Sequence, residues 1–389
     1  MRILYYEMRK NFLKPSIIIC LIIFSFINIY KINEGYKNFM YLNYPKVAGD
    51  IFLEGYKKVY YEKVKGEITK EKIDFIMNYY KEMIKLLDDP GFNKEYDESK
   101  YTGYIFGDKN LFKDGIISDM EYNYMYGSNI SKIVEKSREN VILYSKLGND
   151  YEVNKNKKII NSYENRSLTE LSLTWGIEYY LRYDFSSLLI ILLMILGLSS
   201  VFCNENETQM LQLIATSVNK RKTVMMKFFA SFGYIVFLCS YFYLLDLLAI
   251  YIITGTDTFS NPLYSLRFFQ FTPLNMSVAS FLVLDFMMKI FVMLFLAGIV
   301  LLLSSYLKQT VIVFVLSVTL VSGLILLNDY QSTVLNPIAL VTNYTMVNKF
   351  ESINVFGLCL LKHQVCIGIT GIWCFILLVI MRKRAVRWC

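Results

Sequence analysis

Residues 188–203 read LLIILLMILGLSSVFC, a stretch with eleven Leu, Ile, Val or Phe residues and no Asp, Glu, Lys or Arg. Each of those eleven contributes roughly −0.3 to −0.6 kcal/mol to membrane insertion, and no ionised group opposes them. Crossing a hydrocarbon layer about 30 Å thick takes a helix of about 20 mostly apolar residues, which the full run from residue 184 to 203 supplies. Outward from it, similar runs lie near residues 16–32, 227–254, 282–304, 309–328 and 357–381. The pattern predicts six transmembrane helices.

The composition agrees. Of 389 residues, 54% are hydrophobic and only 19% charged, too apolar for one water-soluble core. Basic residues before the first run mimic a secretion signal, but no small-x-small cleavage site follows FSFINIYKINEGY, so the run is expected to stay as an anchor.

Lys and Arg set the expected orientation. Arg2, Arg9, Lys10 and Lys14 precede the first run, Lys220, Arg221, Lys222 and Lys227 follow the second, and Lys308, Arg382, Lys383, Arg384 and Arg387 complete one side. Residues 255–281 and 329–356, on the other side, carry only Arg267 and Lys349 as basic residues. The positive-inside bias therefore predicts both termini in the cytoplasm of a multi-pass cell-membrane protein. Residues 33–181 hold 22 basic and 24 acidic residues, so the formal net charge of +8 reflects topology and no nucleic-acid partner is expected.

Residues 33–181 form one polar insertion, long enough to fold alone as an extracellular domain. In TKEKIDFIMNYYKEMIKLLDDPG, residues 69–91, Ile73, Ile76, Met77, Tyr80, Ile84 and Leu87 recur at helical spacing before an Asp-Asp-Pro-Gly stop. Further helices are expected over about 131–147 and 167–182, the last running into the second span. The domain is thus expected to be mostly helical, its many tyrosines read first as packing residues and second as a binding face. All seven cysteines lie in or beside apolar runs and none falls in the insertion, so neither a disulfide framework nor a metal site is expected. In the loop 328–356 an apolar run, 334–341, is interrupted by Asn336-Pro337 and is too short to span; it reads as a helix or re-entrant hairpin in the outer leaflet. A high content of lysine, asparagine and isoleucine, together with the cysteine-free exterior, points to a Gram-positive bacterium.

The inner loop after the second span, within FCNENETQMLQLIATSVNKRKTVMMKF at 202–228, puts Met210, Leu211, Leu213, Ile214 and Val218 on one apolar face. Glu205 and Glu207 stand before it and Lys220, Arg221 and Lys222 after it, which suits the dipole of a short helix lying on anionic lipid. Inside the spans, Asp285 and Lys289 are spaced i, i+4 and read as an ion pair on one helix face, with a substrate or proton role as the alternative; Asp246 is read the same way. The one histidine, His363, has no second imidazole or nucleophile for a hydrolase centre and is expected as an interface residue.

Phe202, Glu205, Thr208, the stripe MLQLIATS, a basic pair and Lys227 together resemble the ABC-2 family of ABC transporter permeases, with Glu207 and Ser217 where that family usually has glycine and proline. Ser304-Ser305 before Lys308, Asn336-Pro337 and the basic tail extend the resemblance over 184–384, and YYEMRKNFLK within 1–14 is similar to the family's cytoplasmic elbow helix. The resemblance implies that 204–226 is a coupling segment seated on a separate ATPase, with Leu211, Leu213 and Ile214 as its packing face. Glu205 and Arg221 would make charged rim contacts, helped by Glu207, Thr208 and Lys220. It implies a second permease chain, identical or paralogous, and outward movement of an amphipathic peptide, lipid or drug, antimicrobial peptides among them. The chain has no Gly-x-x-x-x-Gly-Lys-Ser/Thr loop, so ATP and Mg belong to the partner and no cofactor or enzyme activity is expected in this subunit. The alternatives are a peptide receptor and an ABC-coupled mechanotransmitter or sensor whose external domain binds without transport.

Overall fold

The computed structural model describes residues 2–43, 63–88, 116–210, 220–255, 258–331 and 333–388. A short helix α1 (Arg2–Asn11) turns into α2 (Pro15–Asn43). The domain between the first two spans contains β1 (Gly66–Glu67), α3 (Lys70–Asp88), α4 (Ser118–Lys146), α5 (Asp150–Tyr163) and β2 (Glu170–Leu171). Then come α6 (Trp175–Leu181), α7 (Phe185–Leu198) and α8 (Ser200–Glu207), followed by α9 (Lys220–Thr254), α10 (Val278–Tyr306) and α11 (Thr310–Tyr330). A short α12 (Tyr344–Val347), a hairpin of β3 (Ser352–Val355) and β4 (Leu358–Leu361), and α13 (Lys362–Trp388) complete the chain.

Among the described residues six segments are long and apolar enough to cross a membrane: 15–42, 175–207, 222–254, 278–306, 310–330 and 362–383. The protein is therefore a mostly helical, multi-pass membrane-type chain. Several boundaries differ from the expected ones: the helix expected over about 131–147 begins already at Ser118. The first span's helix runs to Asn43 instead of stopping at 32. The expected helix over 167–182 is extended as far as β2, and helix begins only at Trp175. Residues 358–361, expected to open the sixth span, are instead the second strand of a hairpin that pairs Ser352 with Leu361 and Val355 with Leu358. The extended form of β2 is set by a partner distant in sequence, β1, through Gly66–Leu171.

The α6–α8 span is the most enclosed, packed by α2, α9, α10 and α11, and the bundle's main core is built on Leu193, Met194, Ile195, Phe242, Val292 and Leu296. Apolar faces of α2, α11 and α13 remain open, as lipid contact requires. The apolar run around Asn336-Pro337 packs inward as a single 3-10 turn, Pro337–Leu340, against α10 and α13. Asn336 fixes it by accepting from the Ile338 N–H at 3.1 Å and donating to the Leu324 carbonyl at 2.7 Å.

Candidate functional site

At the basic end of the bundle, α1, α8 and the start of α9 meet around one buried ammonium. Lys227 is 1% exposed; it pairs with Glu205, itself 2% exposed, and donates to the Val201 carbonyl at 2.8 Å. Glu7 of α1 lies 3.9 Å away, and Lys10 reaches the same Glu205 oxygen at 3.4 Å. The Lys227 ammonium also sits 5.3 Å from the centroid of the Phe202 ring. An uncompensated charge buried this deeply costs several kcal/mol, so three helices share two carboxylates and two ammoniums to neutralise one another.

Neighbouring bonds fix the joint further. The Phe202 N–H donates to Ser304 Oγ at 3.2 Å, and that hydroxyl donates to the Ser199 carbonyl at 2.9 Å, tying α8 to the end of α10. Lys14 donates to Ser200 Oγ at 3.2 Å; burial first, and then the nearby Lys10, lowers its pKa from the usual lysine value. Phe12 stacks on Tyr234 with ring centroids 4.4 Å apart, and the Tyr234 hydroxyl donates to the Leu193 carbonyl at 3.1 Å. Gly197 makes room for that ring, since a Cβ there would lie 2.7 Å from Tyr234 Cε1.

The residues expected at the coupling segment are distributed unevenly. Glu205, expected at a partner's rim, is turned inward to Lys227, because the buried ammonium needs a counter-charge that solvent cannot supply. Glu207 is exposed and accepts the Thr310 backbone N–H at 2.7 Å, capping α11. Thr208 is spent on the Asn204 carbonyl of its own helix at 2.6 Å. Lys220 and Arg221 form the first turn of α9, with their side chains outside the described set, and Leu211, Leu213 and Ile214 lie outside the described residues. Sequence reasoning missed Glu7 and Lys10. The signal was there in a lone acid within a basic amphipathic helix.

A second polar cluster lies within the bundle, nearer the domain end. Asp285 receives Lys289 at 3.2 Å and the Asn343 amide at 2.6 Å, so the expected i, i+4 pair is present. Asp246 accepts from Asn28 of the first span, whose own amide oxygen accepts from the Tyr183 hydroxyl at 2.8 Å. Asp246 and Lys289 border a void of 20 Å³, space for about one water. Among the described residues no group of three or more His, Cys, Asp or Glu has the arrangement to hold a metal ion.

At the domain end, side chains of α4 and α5 grip the loops between spans. Tyr122 donates to the Tyr264 carbonyl at 2.8 Å, Tyr126 to that of Gln270 at 3.2 Å, Tyr163 to that of Phe271, and Lys158 to that of Cys359 at 2.8 Å. Burial pushes the Tyr126 phenol up to about 12, so it stays a donor. Arg166, 5% exposed, lies 4.8 Å and 4.7 Å from the Tyr163 and Tyr264 ring centroids and donates to the Thr272 carbonyl at 2.8 Å. Arg267 joins α4 to α6: its guanidinium pairs with Asp119 at 2.6 Å and its backbone N–H donates to Glu178 at 2.8 Å. No protein-family model matches the sequence, and comparison with known proteins and with solved structures finds no match.

Proposed function

We propose that the chain is the membrane subunit of an ATP-driven exporter of the ABC-2 kind, working with a separate ATPase and a second permease chain in the cell membrane of a Gram-positive bacterium. One observation carries the reading: Phe202, Glu205, Lys227 and Ser304, drawn from α8, α9 and α10 and all part of the resemblance, converge on the joint from which residues 204–226 emerge. A push on that segment by a closing ATPase meets a buried ion network, so displacement passes into α7, α9 and α10 together. An alternating-access cycle follows, with the substrate path opening away from the ATPase. Cargo is an amphipathic peptide, lipid or drug.

The reading is tested on the chain isolated with its ATPase in lipid vesicles. Leu213→Asp combined with Arg221→Glu is expected to lower ATPase stimulation at least tenfold while the chain still inserts and folds. Unchanged stimulation in the folded double variant contradicts the coupling role. The grip of α4 and α5 on the loops 258–277 and 352–361 supports a second reading, a mechanotransmitter that carries movement to the external domain without passing cargo. Loss of substrate movement on loosening this grip, with ATPase activity intact, separates neither reading; direct detection of cargo in the vesicle lumen does.

A further inference from the structure

Between α4 and the loop before α10 lies a cleft of 480 Å³, within the size range of small-ligand sites, whose wall shares Tyr122, Tyr126 and Arg267 with the grip on the loops. Its walls include Glu121, Tyr122, Met125, Tyr126, Phe271 and Arg267. Arg267 brings no net positive charge, because Asp119 holds its guanidinium at 2.6 Å and Ser118 accepts from the same nitrogen at 2.9 Å. With Asp119, which lies behind the wall, set against Arg267, Glu121 is the charge left over at the cleft. The apolar part is available rather than spent on the core: Met125 is 42% and Phe271 41% exposed. The two tyrosine hydroxyls are committed to the carbonyls of Tyr264 and Gln270 and give an anion no free donor; Tyr126 is buried against Tyr264 and the Arg267 guanidinium lies 5.8 Å from the Tyr122 ring, so the open aromatic surface is that of Phe271.

We propose that this cleft binds an ammonium carried on an apolar or aromatic body, the cation meeting Glu121 and the Phe271 ring, the body lying against Met125. The site deepens the exporter reading by giving cargo a first contact on the external domain, and it rests on that reading for this role alone. Such an ammonium arises from a free organic amine or from a lysine in an amphipathic peptide.

The test uses the purified full chain in detergent, with no ATPase and no nucleotide, titrated calorimetrically. Benzyltrimethylammonium is expected to bind and phenylacetate not to. Glu121→Gln should weaken the cation about tenfold, and Met125→Lys, which adds a competing charge at the wall, should abolish binding while the melting temperature holds. An end-capped Phe-Lys-Phe peptide that displaces the probe at lower concentration assigns the site to peptides; failure to displace assigns it to free amines. Equal binding of cation and anion, or an unchanged affinity in Glu121→Gln, overturns the proposal. Because no ATPase is present, that result leaves the exporter reading standing, and a failed coupling test leaves this one standing.

Discussion

Lys227 shows how one side chain organises an end of the molecule. Its counter-charges come from two other helices, so removing it leaves the buried Glu205 with only the longer contact to the partly exposed Lys10 at 3.4 Å. Lys227→Met is expected to destabilise the folded chain by about 3–5 kcal/mol, whereas Lys227→Met with Glu205→Gln should recover most of that loss. Thermal unfolding in detergent checks it; equal loss in the single and double variants contradicts the ion-pair account. Glu351 gives a pH signature. Partial burial works against its ionised form, but Lys349 and Lys362, each 2.8 Å away, outweigh that and hold the carboxyl below the ordinary glutamate value of 4.5. A depressed folded value means stability present above 4.5 and lost as pH falls through the folded value. The melting-temperature gap between wild type and Glu351→Gln should therefore close on acidification; a constant gap contradicts it. The importance of Lys227 was legible as the basic residue opening a span, but its partners were not, since periodicity cannot say which distant helix brings a carboxylate.

Helices with strong apolar spacing were the readable ones. The expected helix around Ile73–Leu87 is present as α3, whereas α5, over DYEVNKNKKIINSY, escaped because its apolar residues are sparse. Its start was marked only by Asn149, whose side chain accepts from the Glu152 N–H at 3.2 Å. The first turns of α4, before the helix expected from about residue 131, carry Tyr, Asn and Gly; they are helical with Tyr122 and Tyr126 packed on Tyr264, the latter pair stacked at 5.2 Å. That packing makes the tyrosines structural grips. Tyr126→Phe should cost about 1 kcal/mol, seen as faster amide exchange in α4 and in 264–272 alike. Exchange rising in α4 alone speaks against a shared clamp. Between spans, Gly197→Ala should displace Tyr234 and cost about 1–3 kcal/mol, because the ring has a helix backbone on one side and Phe12 on the other.

The molecule as a whole is a six-span bundle gripped at both ends, by an ion network where the basic residues gather and by side chain to carbonyl bonds where the inserted domain sits. Span number and the place of the insertion follow from hydropathy because a lipid-crossing segment must satisfy its own backbone, a constraint that reads directly from composition. The hairpin 352–361 was hidden within a run read as membrane helix, and the inward 3-10 turn because it packs on helices distant in sequence. The central claim is that residues 204–226 take force from a nucleotide-hydrolysing partner. A photoreactive amino acid at Leu213, activated in native membranes, tests it most directly. The account predicts a cross-link to an ATP-binding protein that is lost in the Arg221→Glu background; cross-links to lipid alone would contradict it.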